Sequence, residues 1–281
     1  MSYVHDHIST WSKMSFSDNP YNRQLPDWII KDERIIAANK YIKTKSNKKF
    51  MGDFKQDGNV TMKVINDPTK QVAWEKEETI SYSKIFRNLL DAKKLCPSNF
   101  ALHVIKELYD WDKNHKVSHD QDFYIGTVAR GCRSFASLMR EQHLTEIVDE
   151  IMRAEAKKRG KKYFMRKTTV REDMKMKTDI IFFYDGNWYR IWSYQTSKPG
   201  IECTSARVAK ARGKGFNIMI PFNDGEKVPE FGWWLYDRER VKKILERFVL
   251  NRDFEPISVK EYQKLVEIDP EVIKLPAIFK V

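Results

Sequence analysis

Three cysteines, Cys96, Cys132 and Cys203, are all that occur in 281 residues. They lie too far apart for a zinc-binding Cys pair, and their odd number argues against a disulfide framework. A reducing, cytoplasmic compartment is expected. Glycine is also scarce, at 11 residues, and no phosphate-loop or dinucleotide-type glycine pattern occurs. No apolar run approaches the ~20 residues of a membrane-spanning helix. The opening MSYVHDHIST lacks the basic-then-apolar order of a signal peptide. These absences predict a soluble intracellular protein with no membrane span. No internal repeat or low-complexity block is present.

What the sequence has in excess is positive charge. Lys and Arg number 51 against 39 Asp and Glu, a formal net charge of +12, and the pI is about 9.4. Such a balance favours a polyanionic partner, nucleic acid first and an anionic membrane surface second. A hydrophobic content of 41% suffices for a core. The length allows one large domain or two small ones. A charged loop at residues 115–124 marks a boundary near residue 120. It separates a mainly helical region, 1–120, from a second domain, 121–281.

Taken in order, residues 1–30 are mixed and broken at Asn19-Pro20 and Leu25-Pro26. His5 and His7 read as part of a terminus before they read as metal ligands. Residues 27–42 carry a loose helical period, and the run Lys43, Lys45, Lys48 and Lys49 reads as a solvated loop. A strand is expected over 59–65. Helices are expected over 80–95 and 99–112, the first stopped by Pro97 and the second capped by Ser98. This pair also resembles a helix-turn-helix only weakly. His115 and His119 sit at i, i+4 without a zinc-protease pattern, so a surface loop is expected there. Residues 124–159 predict helix with a break near His143. Its second half carries an apolar stripe through Leu144, Ile147, Val148, Ile151 and Met152. Strands follow at 163–169, 216–222 and 231–236. A short helix is expected at 204–211. Asp237 caps a helix over 238–250, and another spans 259–268.

The centre of this second half is Thr178–Lys198, TDIIFFYDGNWYRIWSYQTSK, which reads as a β-hairpin. Ile180–Tyr184 is β-branched and aromatic. Asp185-Gly186 is a turn in which both residues tolerate positive φ. Residues 188–196 form the return strand. Asp179 opens the first strand, and Gln195, Ser197 and Lys198 close the second. In an antiparallel pair these groups are expected to be neighbours. A carboxylate, an amide oxygen and a lysine brought together suit metal-assisted hydrolysis. A hard cation such as Mg²⁺ takes oxygen ligands, here Asp179 and Gln195. Lys198 would orient a water or stabilise developing charge. The plainer alternative is that Asp179 caps a strand, Gln195 satisfies backbone and Lys198 is a surface lysine.

From residue 144 the order of elements is helix, three strands, helix, strand. With Asp179 at the start of the second strand and Gln195 and Lys198 at the end of the third, residues 140–250 resemble the PD-(D/E)XK nuclease superfamily. The resemblance implies an α/β (α+β) fold with a restriction-endonuclease-like αβββαβ core behind a largely helical N-terminal region. It implies a Mg²⁺-dependent endonuclease, with Mn²⁺ as a substitute, hydrolysing phosphodiester bonds in a restriction-type or mobile-element setting. Asp179 and Gln195 correspond to metal ligands and Lys198 to the family's lysine. The family's helix-borne carboxylate corresponds to Glu146, with Glu150 and Glu141 as neighbouring candidates. Two departures stand out. Thr178 replaces the usual Pro, and Gln195 and Lys198 are spaced i, i+3 instead of i, i+2. On a regular strand they face opposite ways, so Ser197 shares Gln195's face unless a bulge intervenes.

Basic residues flank this constellation: Lys167, Arg171, Lys175 and Lys177 before the hairpin, and Arg207, Lys210, Arg212 and Lys214 after it. They are the expected phosphate contacts, with a solvated basic surface as the alternative for each. Trp188, Trp192, Trp233 and Trp234 read as core residues or as base-stacking platforms. DNA is expected as the substrate before RNA. Residues 1–120 are left for substrate recognition or homodimer contacts. The rival reading is a non-catalytic DNA-binding protein with a degenerate nuclease-like core; another is an RNA-cleaving enzyme of the same fold.

Overall fold

The computed structural model of the chain describes residues 81–95, 97–116, 118, 121–168, 178–195, 215–222, 226–228, 233–252, 255–269 and 278–280. Five α-helices and a five-stranded mixed sheet make up most of these residues, so the chain is a mixed α/β protein. The helices are α1 (Tyr82–Asp91), α2 (Pro97–His115), α3 (Gln121–Arg159), α4 (Arg238–Leu245) and α5 (Val259–Ile268). The strands are β1 (Tyr163–Lys167), β2 (Ile180–Tyr184), β3 (Asn187–Gln195), β4 (Phe216–Phe222), β5 (Glu226–Val228), β6 (Trp233–Leu235) and β7 (Ile278–Lys280). The expected elements at 27–42, 59–65 and 204–211 lie outside the described residues. So does the lysine run from Lys43 to Lys49.

Two units are distinguished: Met1–Arg140 with Lys227–Trp233, and Glu141–Glu226 with Trp234–Val281. Their boundary falls inside α3, further along the chain than the charged loop near residue 120. In the first unit, Ser81 caps α1 by accepting from the Lys84 N–H. Lys93, at φ 55°, ends the helix. Lys94 N–H and Lys93 N–H donate back to the Leu89 and Leu90 carbonyls, closing the helix with a left-handed residue. Pro97 then opens α2 instead of merely stopping α1. A proline at the first helical position has no N–H to leave unsatisfied and has its φ already set, so Ser98 lies inside the helix. Phe86, Phe100 and Phe135 form an aromatic cluster with centroids 5.1–6.3 Å apart. At the other end of α2, the His115 ring stacks on Trp111 and lies 2.9 Å from the Trp111 carbonyl.

Helix α3 runs unbroken through the break expected at His143. His143 is buried within it, and Thr145 donates its hydroxyl to the Glu141 carbonyl at 2.7 Å, a bond made inside the helix. In the second unit, the stripe of Leu144, Val148, Ile151 and Met152 packs on one face of the sheet, against Ile180, Phe182, Tyr189, Ile191, Ile218 and Ile220. Val241, Ile244 and Leu245 of α4 join the same core. Asp237 caps α4, as its position before the helix predicts, and a π-turn at Glu246–Leu250 extends it.

The sheet order is β1-β2-β3-β4-β7. Strands β1, β2 and β3 are successively antiparallel, β4 is parallel to β3, and β7 is antiparallel to β4. Asp185 and Gly186, at φ 45° and 84°, form the two-residue turn between β2 and β3. Both positive values are what a twisted hairpin demands. Gly215 precedes β4 at φ 140°, and a Cβ there would sit 2.6 Å from the Trp188 carbonyl oxygen, so only glycine permits this approach. Of the strand expected at 231–236, the described part is β6, with Tyr236 outside it; β5 and β7 are not foreshadowed by the sequence.

Candidate active site

The hairpin register decides which groups meet. Ile180 lies opposite Ile191, so Asp179, one residue earlier, falls beside the Trp192–Ser193 segment. Its N–H donates to the Ile191 carbonyl at 3.2 Å. Thr178, buried, adds its hydroxyl to the same carbonyl at 3.2 Å. The half-buried Asp179 carboxylate turns to β3: Oδ2 accepts from Ser193 N–H at 2.7 Å and from Ser193 Oγ at 3.1 Å. Where β2 begins, this carboxylate serves Ser193 as a backbone carbonyl would in a longer ladder.

Gln195 is the last residue of β3, two positions beyond Ser193 and opposite Phe222 of β4. Two residues of strand amount to about 7 Å. Ser197 and Lys198 lie outside the described residues. So do Arg171, Lys175, Lys177, Arg207, Lys210, Arg212 and Lys214. Lys167 ends β1. Trp192 is fully buried and donates its indole N–H to Asn217 Oδ1 at 3.2 Å, so it belongs to the core.

The helix carboxylates separate by their partners. Glu146 is half-buried on α3 and accepts from Gln142 Nε2 at 2.9 Å. Glu150 is exposed and pairs with Arg238 at 2.7 Å, which raises the pKa of that guanidinium. Glu141 lends its backbone carbonyl to Thr145. Asp149, one turn on from Glu146, accepts from the Tyr163 hydroxyl at 3.0 Å and from Arg153. Burial and this carboxylate push the Tyr163 pKa far up, so the hydroxyl stays a donor. Arg190 of β3 is buried opposite Ile181, and desolvation lowers its pKa.

Ser193 is the site residue that sequence reasoning passed over. The signal was there: a small hydroxyl at i−2 from Gln195, in the segment Ile191–Tyr194 that is otherwise aromatic and aliphatic. Asp179 and Glu146, which accept from Ser193 and Gln142, each carry the hard oxygen donors that Mg²⁺ or Mn²⁺ takes. A carboxylate has about four lone-pair positions, and both Ser193 contacts fall on Oδ2. Among the described residues no three His, Cys, Asp or Glu side chains group together, and no helix is long and apolar enough to cross a membrane. Compared with models of known families, with curated proteins and with solved structures, the chain matches none.

Proposed function

We propose that the protein is a divalent-metal-dependent endonuclease of restriction-endonuclease-like fold, cutting DNA in preference to RNA. The observation that carries this reading is the Asp179 carboxylate, held just before β2 by two hydrogen bonds from Ser193 of β3. Support comes from the order of elements, with a helix before three antiparallel strands and a fourth strand parallel to the third. The charge of +12 supports a polyanionic substrate.

In this reading Asp179 and the Gln195 amide oxygen hold the cation, with Glu146 as an outer carboxylate. When bound, the ion neutralises charge at the scissile phosphate and favours a hydroxide nucleophile. Ser193 keeps Asp179 in one rotamer, as ligand-orienting neighbours do in metal sites. Lys198 stabilises negative charge on the phosphoryl oxygens. The basic residues around the hairpin hold the backbone phosphates without reading bases.

The test is a cleavage panel of supercoiled plasmid, linear duplex, single-stranded DNA and RNA, with Mg²⁺, Mn²⁺ or EDTA, for the wild type and Asp179→Asn. Metal-dependent cutting of DNA, absent in EDTA and in the variant, is expected. Salt-sensitive binding without cutting under either metal overturns the enzyme in favour of a DNA-binding protein. Cutting confined to RNA overturns the substrate.

A further inference from the structure

Strand β1 carries an aromatic side chain on the face turned away from the core. Tyr163 and Met165 pack against the core cluster, and alternation sends Phe164 and Arg166 to the opposite face. There Phe164 lies opposite Phe183, and Phe183 opposite Trp188, so one aromatic row crosses three strands. Phe164 stacks on Phe183 at 5.2 Å and 17°, and Trp188 stands edge-on to both, at 5.2 and 5.6 Å. Phe183 and Trp188 are half-buried, while Phe164 is 47% exposed. Apolar ring surface left in water is unfavourable, so the open surface of Phe164 is a standing cost in the isolated fold.

The surroundings are basic. Lys161, Lys162, Arg166 and Arg252 are all exposed near this row or at the hairpin tip beside it. The acid among them is Asp185, which Lys161 and Arg252 approach at 3.1 and 3.6 Å. Among these described residues, four cations stand against the one carboxylate, a positive balance that complements an anion. An exposed aromatic cluster on a sheet face, bordered by cations, is how single-stranded nucleic acid is held: bases stack on the open ring and phosphates meet the cations. A bilayer anchor buries a broad apolar face, whereas of these three rings Phe164 alone is largely open.

We propose that the Phe164–Phe183–Trp188 row is a stacking platform for unpaired bases of a nucleic-acid strand. The proposal rests on the nucleic-acid part of the functional reading but not on catalysis. It gives that reading a substrate feature: a frayed, looped or single-stranded stretch beside the cut duplex.

The test measures anisotropy of a labelled 20-nucleotide oligothymidylate and of a blunt duplex, all in EDTA so that no cleavage intervenes. The full chain is compared with Phe164→Ala and Phe164→Trp. Phe164→Ala is expected to weaken single-strand binding on the order of 10-fold or more, with duplex affinity changed less than about 2-fold, while Phe164→Trp retains it. Wild-type affinity in Phe164→Ala overturns the platform, and so does an equal loss on duplex. Loss of binding to phosphatidylserine vesicles, with oligonucleotide binding unmoved, overturns it in favour of a membrane face. Because EDTA is present, a platform failure and a missing nuclease activity are read separately.

Discussion

Replacing Asp179 separates two roles that the wild type combines. Its Oδ2 receives the Ser193 N–H at 2.7 Å and the Ser193 hydroxyl at 3.1 Å. A bond to an ionised acceptor contributes about 1.5–3 kcal/mol. The hydroxyl can turn to water when the acceptor is lost, but the half-buried N–H has fewer choices. Asp179→Ala is therefore expected to cost about 2–3 kcal/mol, most of it from the N–H. Asp179→Asn keeps an amide oxygen for that N–H. A neutral bond is roughly half as strong, so the expected cost falls to about 1 kcal/mol. Urea unfolding followed by circular dichroism measures both, with the slope checked for constancy. Cleavage assays on the same preparations should rank differently: both variants inactive, although Asp179→Asn is well folded at the assay temperature. Wild-type cleavage by Asp179→Asn would refute the metal-ligand role and leave Asp179 a latch for Ser193. Wild-type stability in Asp179→Ala would refute the latch.

Two further outcomes test the fold around the site. Gly215→Ala forces a Cβ to 2.6 Å from the Trp188 carbonyl oxygen at a φ of 140°; a loss of about 1–3 kcal/mol in urea unfolding is expected, and a change under 0.5 kcal/mol would contradict the close approach of β3 and β4. His103 has its pKa lowered from about 6.5 by burial and by Lys106 and Lys94. The unfolded chain then binds the proton first, so stability is full above pH 6.5 and declines as pH falls below it. His103→Gln should flatten that slope between pH 6.5 and 5, and an unchanged slope would assign it to other groups.

The hairpin was legible because each local signal agreed with the others. The run Ile180–Tyr184 is apolar on both faces, and Asp185-Gly186 can hold positive φ, as both do. The Asp237 cap and the apolar stripe of α3 were equally plain, since periodicity and capping act over a few residues. What failed to show was register. Placing Asp179 beside the end of β3 says nothing of which residue there meets its carboxylate. In fact β3 runs on past the start of β2, and Ser193 meets the carboxylate. The unbroken helix at His143 and the helix start at Pro97 were missed for a different reason. In both places a residue tolerated in a helix was read as a stop. Strand β7 offers three residues and no turn signal, and only its pairing with β4 makes it a strand.

That last pairing has a consequence in time. Strand β4 ends at Phe222, and its outer partner does not begin until Ile278. During synthesis, at roughly 5–20 residues per second, β4 stands without that partner for roughly 3–11 s. Throughout that interval an apolar FNIMIPF segment offers one edge to any other chain. Nascent copies crowded on one message are thus exposed to mispairing at this strand. Slower initiation, which spaces the nascent copies, should therefore raise the yield of native protein.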